Sequence, residues 1–258
     1  MIVQPERISS RDNPLLQRIR KLGGDPGAYR KVGGVWLEGD HLVSAALARG
    51  QALGELLMAE SAWNTRVDWR GWAERARRVV VLPDALFKTL SALESPASVG
   101  AVLPLPEPAA IVSDAFTVIL DRLQDAGNVG SILRSASAFG VQQVLALKGT
   151  AALWSPKVLR AGMGAHFALH LAEGLQPDDL AALAVPLLAT SSHAGLVLGQ
   201  GALPYPCAWV LGHEGQGVNE ALMARCTRTV SIPQPGGEES LNVAAAAAIC
   251  LFASRAGQ

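Results

Sequence analysis

PQPGGEESLNVAAAAAICLF, residues 233 to 252, is the stretch on which the reading of this chain turns. Five consecutive alanines followed by Ile249, Leu251 and Phe252 describe a helix that is mostly buried and has a thin waist. Ser240 or Asn242 can cap it, because either side chain accepts a hydrogen bond from the free amides of a first helical turn. Side chains this small admit something close to the backbone. The candidates are a partner, a ligand or another stretch of the same chain.

Moving back along the sequence, apolar runs alternate with helical patterns. FTVILD (116–121) reads as a strand and NVGSILRSASAFG (128–140) as a helix ended by Gly140. VQQVLAL is a strand, SPKVLRAGMGA a helix with Pro156 in its first turn, and FALHL a strand. QPDDLAALA is a helix, VPLLAT and CAWVLG are strands, VNEALMARC is a helix and TVSIP a short strand. Strands and helices in turn predict a mostly parallel sheet covered on both faces.

PLPEP, residues 104–108, interrupts this grammar with three prolines in five residues and marks a stiff linker. The expected division is a domain over 1–103, a linker over 104–113 and a second domain over 114–258. Before the linker, Pro14 to Leu22 forms a basic helix, and GGVWLEGDHLVSAALARG a strand, a turn and a helix stopped at Gly50. LGELLMAES is a strand, DWRGWAERARR a helix, VVVLP a strand and DALFKTLSAL a helix. Together these make a small α/β domain.

With 258 residues, half of them hydrophobic, the chain can bury a sizeable core, and it has no apolar run long enough for a membrane span. The first residues are charged and lack the apolar centre of a secretory signal, so the cytoplasm is the expected location. Cys207, Cys226 and Cys250 stand in apolar surroundings without ligand spacing, which reads as reduced core thiols and no metal site. Charge is uneven. Residues 1–105 hold 14 Lys and Arg against 11 Asp and Glu, and residues 106–258 hold 8 against 11. The first 31 residues carry seven basic and three acidic side chains. Such an arm is either a solvated helix face or a handle for a polyanion.

In parallel sheets, ligands gather beyond the carboxyl ends of the strands. Four such ends are marked here by RLQDAGNVGSILR, SSHAG, HEGQG and QPGGEESLN. GHEGQG has the wrong glycine order for a dinucleotide fingerprint, and no phosphate-loop Gly-Lys-Ser/Thr is present. With Asn128 as the cap of its helix, Val129, Ile132, Leu133, Ala136 and Phe139 form the inward stripe. Arg134 lies off that stripe between Gly130 and Ala138, as an exposed helix arginine or as a contact for an anionic or hydroxylic ligand. Glu214 reads as a turn-bracing carboxylate or a catalytic one. His193 has no acid partner at readable spacing, so neither a triad nor a metal site is supported.

NVGSILRSASAFG, WVLGHEGQGV and SIPQPGGEESLNVAAAAAI together resemble the three ordered motifs of the SpoU (TrmH-type) RNA ribose 2′-O-methyltransferases, within the SPOUT superfamily. Asn128 and Arg134 match the first motif, Gly212, Glu214 and Gly217 the second, and Ser240, Leu241 and Asn242 the third. ISSRDNPLLQRIRKL, YRKVGGVWLEGDHLVSAAL and SVGAVL resemble the substrate-binding domain that precedes the catalytic domain in many members, so the resemblance spans essentially the whole chain. GGEES before Leu241 departs from the shorter or hydrophobic run of many members.

The resemblance implies a catalytic domain with a deep C-terminal trefoil knot, a rare exception to unthreaded topology. The alanine helix is then its last element and part of a homodimer contact. It implies S-adenosylmethionine held by Thr190, Leu211, Gly212, Ile232 and Leu241, and methylation of a ribose 2′-hydroxyl in RNA. Large-subunit (23S) ribosomal RNA is the leading substrate and transfer RNA the alternative. Arg134 is implied to orient the RNA and stabilise alkoxide charge, since arginine stays protonated and is a poor base. Asn128 and Asn242 hold loops and bond substrate, Ser240 positions the nucleophile, and Glu214 braces its loop or serves as the base. A rival, a catalytically inactive RNA-binding member of the fold, predicts that an arginine, glutamate or asparagine is missing from the motifs, and all are present. A nucleotide-binding oxidoreductase is disfavoured by the glycine order.

Overall fold

The computed structural model describes residues 4–91, 93–108, 110–191, 196–236 and 240–256; His193 and the run 237–239 of the GGEES stretch lie outside the described residues. Two compact units result, Met1–Glu107 with Trp154–Phe167 and Pro108–Leu153 with Ala168–Gln258.

The first unit is built on five strands: β1 (Glu6–Arg7), β2 (Gly34–Glu38), β3 (Leu53–Ala59), β4 (Ala76–Leu82) and β5 (Val99–Pro104). Their order is β1-β4-β3-β5-β2, with β5 antiparallel to both neighbours. Accompanying them among the described residues of Met1–Glu107 are the α-helices α1 (Pro14–Gly24), α2 (Ala28–Val32), α3 (Asp40–Ala48), α4 (Glu60–Thr65), α5 (Val67–Arg70) and α6 (Asp84–Lys88). In α1, Asn13 accepts from the Leu15 amide, Pro14 occupies the first turn, and Leu15, Leu16, Ile19 and Leu22 face inward. Each such side chain contributes about 1.5–3 kcal/mol by burial.

Three expectations for this unit need correction. DWRGWAERARR is not one helix: α5 stops at Arg70, a 3₁₀ turn covers Gly71–Arg75, and Ala76 already belongs to β4. DALFKTLSAL is helical only to Lys88. The strand β5 had no place in the sequence reading, and it makes this sheet mixed.

The second unit carries a seven-stranded, wholly parallel sheet. In chain order its elements are β6 (Thr117–Leu120), α7 (Ala126–Ala138), β7 (Gln143–Leu147), β8 (His170–Leu175), β9 (Leu187–Thr190), β10 (Leu196–Val197), β11 (Ala208–Leu211), β12 (Arg228–Ser231) and two helices described below. Between β7 and β8 the chain forms α8 (Pro156–Gly162), capped by Ser155; sequence order places it with this sheet, but Trp154–Phe167 groups with the first unit, where α8 meets α1 and β2. QPDDLAALA is a 3₁₀ helix rather than an α-helix, and of VNEALMARC only Glu220–Met223 is helical, as α9. The last helix, α10, runs from Val243 to Ala256.

Strand order is β10-β12-β9-β11-β6-β7-β8. From β6 the chain winds outward to β8, returns to β9, and later inserts β11 between β9 and β6. The order therefore switches at the β6–β11 pair, which puts the loops after these two strands side by side. Alternation divides the sheet: Ile119, Leu145, Ala189 and Val210 pack on one face with Leu180, Val185 and Leu222. On the other face α10 lies against β11 and α7. There the fully buried Trp209 donates Nε1–H to Ser254 Oγ at 2.9 Å, which ties α10 to the sheet.

Candidate functional site

The helix α7 is capped by Asp125, not Asn128. Asp125 Oδ1 accepts from the Asn128 amide at 2.7 Å, so Asn128 sits in the first turn with its side chain released for other work. That side chain donates from Nδ2 to Glu214 Oε1 at 3.1 Å and accepts at Oδ1 from Asn242 Nδ2 at 2.9 Å. Asn242 in turn caps α10, its Oδ1 accepting from the amides of Ala244 at 2.9 Å and Ala245 at 3.3 Å. Of the two capping candidates, Asn242 fills the role. Glu214 also accepts from the Gln124 amide at 3.2 Å and the Asp125 amide at 3.1 Å. Glu214, Asn128 and Asn242 thus form one hydrogen-bonded line joining the loops after β6 and β11 to the start of α10.

Burial pushes the Glu214 carboxyl up, but its own amide, the Asn128 side chain and the Gln124 and Asp125 amides outweigh that and hold it below the ordinary glutamate value. An ionised carboxylate with this many donors is a brace and a weak base.

The Glu214 loop is tight for a backbone reason. His213 and Gly217 exchange amide bonds of 3.0 and 2.8 Å, and a Cβ on Gly212 would lie 2.2 Å from both Gly217 C and Val218 N. Two residues that the motifs do not single out hold this loop to β6. Asp121, 2 % exposed, accepts from the Asn219 amide at 2.7 Å and from Arg122 Nε at 3.0 Å. Arg122, in the left-handed region at φ 61°, also donates to Gln216 Oε1 at 3.1 Å. His213 Nδ1 accepts from the amides of Gly215 and Gln216, which leaves its proton on Nε2. The available signal was a lone acid at the end of an apolar strand.

Beside this junction, at the carboxyl ends of β9 and β12, lies a pocket lined by Thr190, Ser191, Val230, Ile232, Gln234, Ser240, Leu241 and Ala246. Apolar walls and a few hydroxyls, with no charged group among the described lining residues, suit an organic ligand without phosphate. Gln234 Oε1 is buried and has no partner among the described residues, so an acceptor stands ready there. Thr190, Ile232, Leu241 and Ser240 of the expected set meet in this pocket. Leu211 is buried at the end of β11 and Gly212 follows it in the pinched loop.

Arg134 stands apart. It is exposed on α7, and it makes no hydrogen bond or ion pair with the described residues. The inward stripe is Val129, Gly130, Ile132, Leu133 and Ala136, so of its two small neighbours only Ala138 is exposed. Phe139 is half-buried, edge-on to Phe252 at 6.1 Å. Cys207, Cys226 and Cys250 are free thiols, and no group of three His, Cys, Asp or Glu among the described residues could hold a metal ion. Among the described residues no helix is long and apolar enough to cross a membrane.

A parallel sheet with an uncharged pocket and a polar loop junction at its switch point is the layout of an α/β domain built around a small organic ligand. The chain belongs to the SpoU rRNA Methylase family, which it matches over residues 115–252. It is 31% identical over 219 residues to the 23S rRNA (guanosine(2553)-2'-O)-methyltransferase RlmP of Bacillus subtilis, covering 84% of this chain and 86% of that one. Among solved structures it is similar to an AdoMet-bound rRNA methyltransferase from Sinorhizobium meliloti, at a TM-score of 0.85 and 26% identity over 98% of both chains. The SpoU methyltransferase AviRb from Streptomyces viridochromogenes, in complex with AdoMet, gives a TM-score of 0.83 at 26% identity over 95% of this chain and 97% of that one.

Proposed function

We propose that this chain methylates a ribose 2′-hydroxyl in RNA, with 23S ribosomal RNA as the substrate, using S-adenosylmethionine. The observation that carries the reading is the line from Glu214 through Asn128 to Asn242, which joins all three family motifs beside an uncharged pocket. S-adenosylmethionine supplies an electrophilic methyl group. Thr190, Ile232 and Leu241 would hold its adenosine and methionine portions together with Leu211 and Gly212, and the buried Gln234 oxygen, without a partner among the described residues, would accept a bond from it.

A ribose hydroxyl is a poor nucleophile and must be held in line and relieved of its proton. Ser240 positions the hydroxyl at the pocket edge. Arg134, with no partner among the described residues, binds an RNA phosphate and steadies charge as it develops on the ribose oxygen, and that phosphate takes the proton. Glu214, its lone pairs occupied by four donors, keeps the loops closed and takes no part as the base.

The same reading includes a deep trefoil knot in the second unit, with α10 as the threaded element. It includes a homodimer, since Ile249 and Phe252 on the outer side of α10 are 39% and 60% exposed and need cover. It places the protein in the cytoplasm, where free thiols persist, and assigns RNA binding to the domain over 1–103, which leads through the linker 104–113 into the methyltransferase domain over 114–258. Purified protein should transfer labelled methyl groups from S-adenosylmethionine to 23S ribosomal RNA from cells lacking it, and calorimetry should detect cofactor binding without RNA. Absence of both would overturn the reading.

A further inference from the structure

Three of the six tryptophans fall within ten residues of the first unit, Trp63, Trp69 and Trp72. The corrected local structure explains what two of them do. The chain passes from α5 into a 3₁₀ turn between them, and the tighter winding brings side chains three apart nearly over one another. Trp69 and Trp72 stack with ring centroids 5.8 Å apart and planes 20° from parallel. The Arg66 guanidinium lies over the Trp69 ring at 3.7 Å, and Asp68 holds it there through bonds of 3.1 and 2.7 Å. Trp69 is buried, so its position is fixed, whereas Trp72 is half-buried at the outer end of the stack.

The surroundings of this stack are basic and open. Residues 66–78 carry five arginines against Asp68 and Glu74. Arg78 is taken up by Glu6, but Arg75 and Arg77 are exposed and form no ion pair with the described residues. Arg70 has its Nε buried without an acceptor among the described residues. Val67, at 67% exposure, adds bare apolar surface to the same segment.

We propose that this segment is a stacking platform for single-stranded RNA, in which an unpaired base lies on the Trp72 ring and the flanking phosphates meet Arg70, Arg75 and Arg77. Trp72 supplies a flat face that any base can use, Trp69 and Arg66 keep that face from rotating away, and the free arginines track the backbone. A protein partner is disfavoured because unpaired cations around an aromatic face match a polyanion. The inference rests on the RNA-methylating reading and deepens it: the target presents an unpaired stretch to the first unit, apart from the methyl-accepting ribose.

The test uses the full chain, an unstructured ten-nucleotide oligoribonucleotide and an RNA duplex of equal length. The single strand should quench tryptophan fluorescence more than the duplex. Trp72→Ala should weaken single-strand binding about tenfold and Trp72→Phe should retain most of it, as base–aromatic stacking requires. Arg75→Ala and Arg77→Ala, both at exposed positions, should each lower the salt slope by about 0.7. Unchanged affinity in a folded Trp72→Ala protein, equal losses on duplex and single strand, or no single-strand binding by the wild type overturns the platform. If the wild type methylates RNA while Trp72→Ala binds normally, only this inference fails. If single strands bind through Trp72 yet no methyl transfer occurs, the methyltransferase reading fails and the platform stands.

Discussion

The side chains of Asn128 and Asn242 meet at 2.9 Å although 114 positions separate them, and the same two residues bind a helix start on one side and Glu214 on the other. Asparagine suits both places because its amide donates and accepts at once. Asn128→Asp should therefore be worse than Asn128→Ala. It removes the donor to Glu214 and sets a second carboxylate against it, which disfavours ionisation of both. Methyl transfer should fall by about a hundredfold or more, and the aspartate variant should recover part of its thermal stability as pH drops toward about 5. Paired melting curves and cofactor titrations on both variants check this.

Glu214 itself makes a pH prediction. Its folded-state value lies below the ordinary one, so its contribution to stability is present above the unfolded value of about 4.3 and is lost as pH falls through the lower folded value. Glu214→Gln should melt earlier than wild type near neutrality and converge with it in acid. Parallel melting curves across that range would show the assignment to be wrong.

Arg134 has no structural duty among the described residues, so Arg134→Ala should keep the melting temperature and cofactor affinity of the wild type. Single-turnover methylation should fall by about a hundredfold, the scale for losing a preorganised charge-stabilising group. Lysine should rescue it only in part, for lack of the planar fork. Near-normal turnover would remove Arg134 from the chemistry.

Gly212→Ala tests the pinched loop. The new methyl would collide with backbone rather than a movable side chain, so the loop must open. A stability loss of about 1–3 kcal/mol or more is expected, together with weakened cofactor binding. Retained cofactor affinity by calorimetry would mean that loop closure and pocket are independent.

Burial pushes the Cys207 and Cys250 thiols to about 12 and the Cys226 thiol to about 11. Thiolate is the reactive form, so the native protein at about pH 8 should resist iodoacetamide, and all three should label once it is unfolded. Rapid native labelling at Cys207 would contradict its full burial just before β11.

What could be read in advance divides along physical lines. The strands FTVILD, VQQVLAL and CAWVLG and the helix at 243–256 declare themselves by apolar runs and spacing, which depend only on neighbours in sequence. The cap of α7 does not, because Asp125 and Asn128 are both good caps three residues apart, and the choice depends on what Glu214 and Asn242 ask of Asn128. The short helical pieces after β3 and β4 were overrun because composition favours helix there, while Gly71 and the early start of β4 decide the outcome. Nor could spacing reveal that α8 groups with the first unit, since a stripe does not say which core receives it. Arg122 drew no attention because its importance lies in a left-handed backbone and a buried acid next door. The three motifs were legible as family signatures, and the contacts that unite them were not.

The late position of Asn242 sets a timetable for the nascent chain. The first unit's strands and α1 leave the ribosome early, and Asn128 follows, but its partner is made 114 residues later. At about 5–20 residues per second, that is a wait of roughly 6–23 s during which Asn128 has no anchor at α10. On the proposed reading, a growing chain would present Trp72 and its arginines to RNA well before α10 completes the line from Glu214 to Asn242, so contact with the substrate would precede competence to modify it.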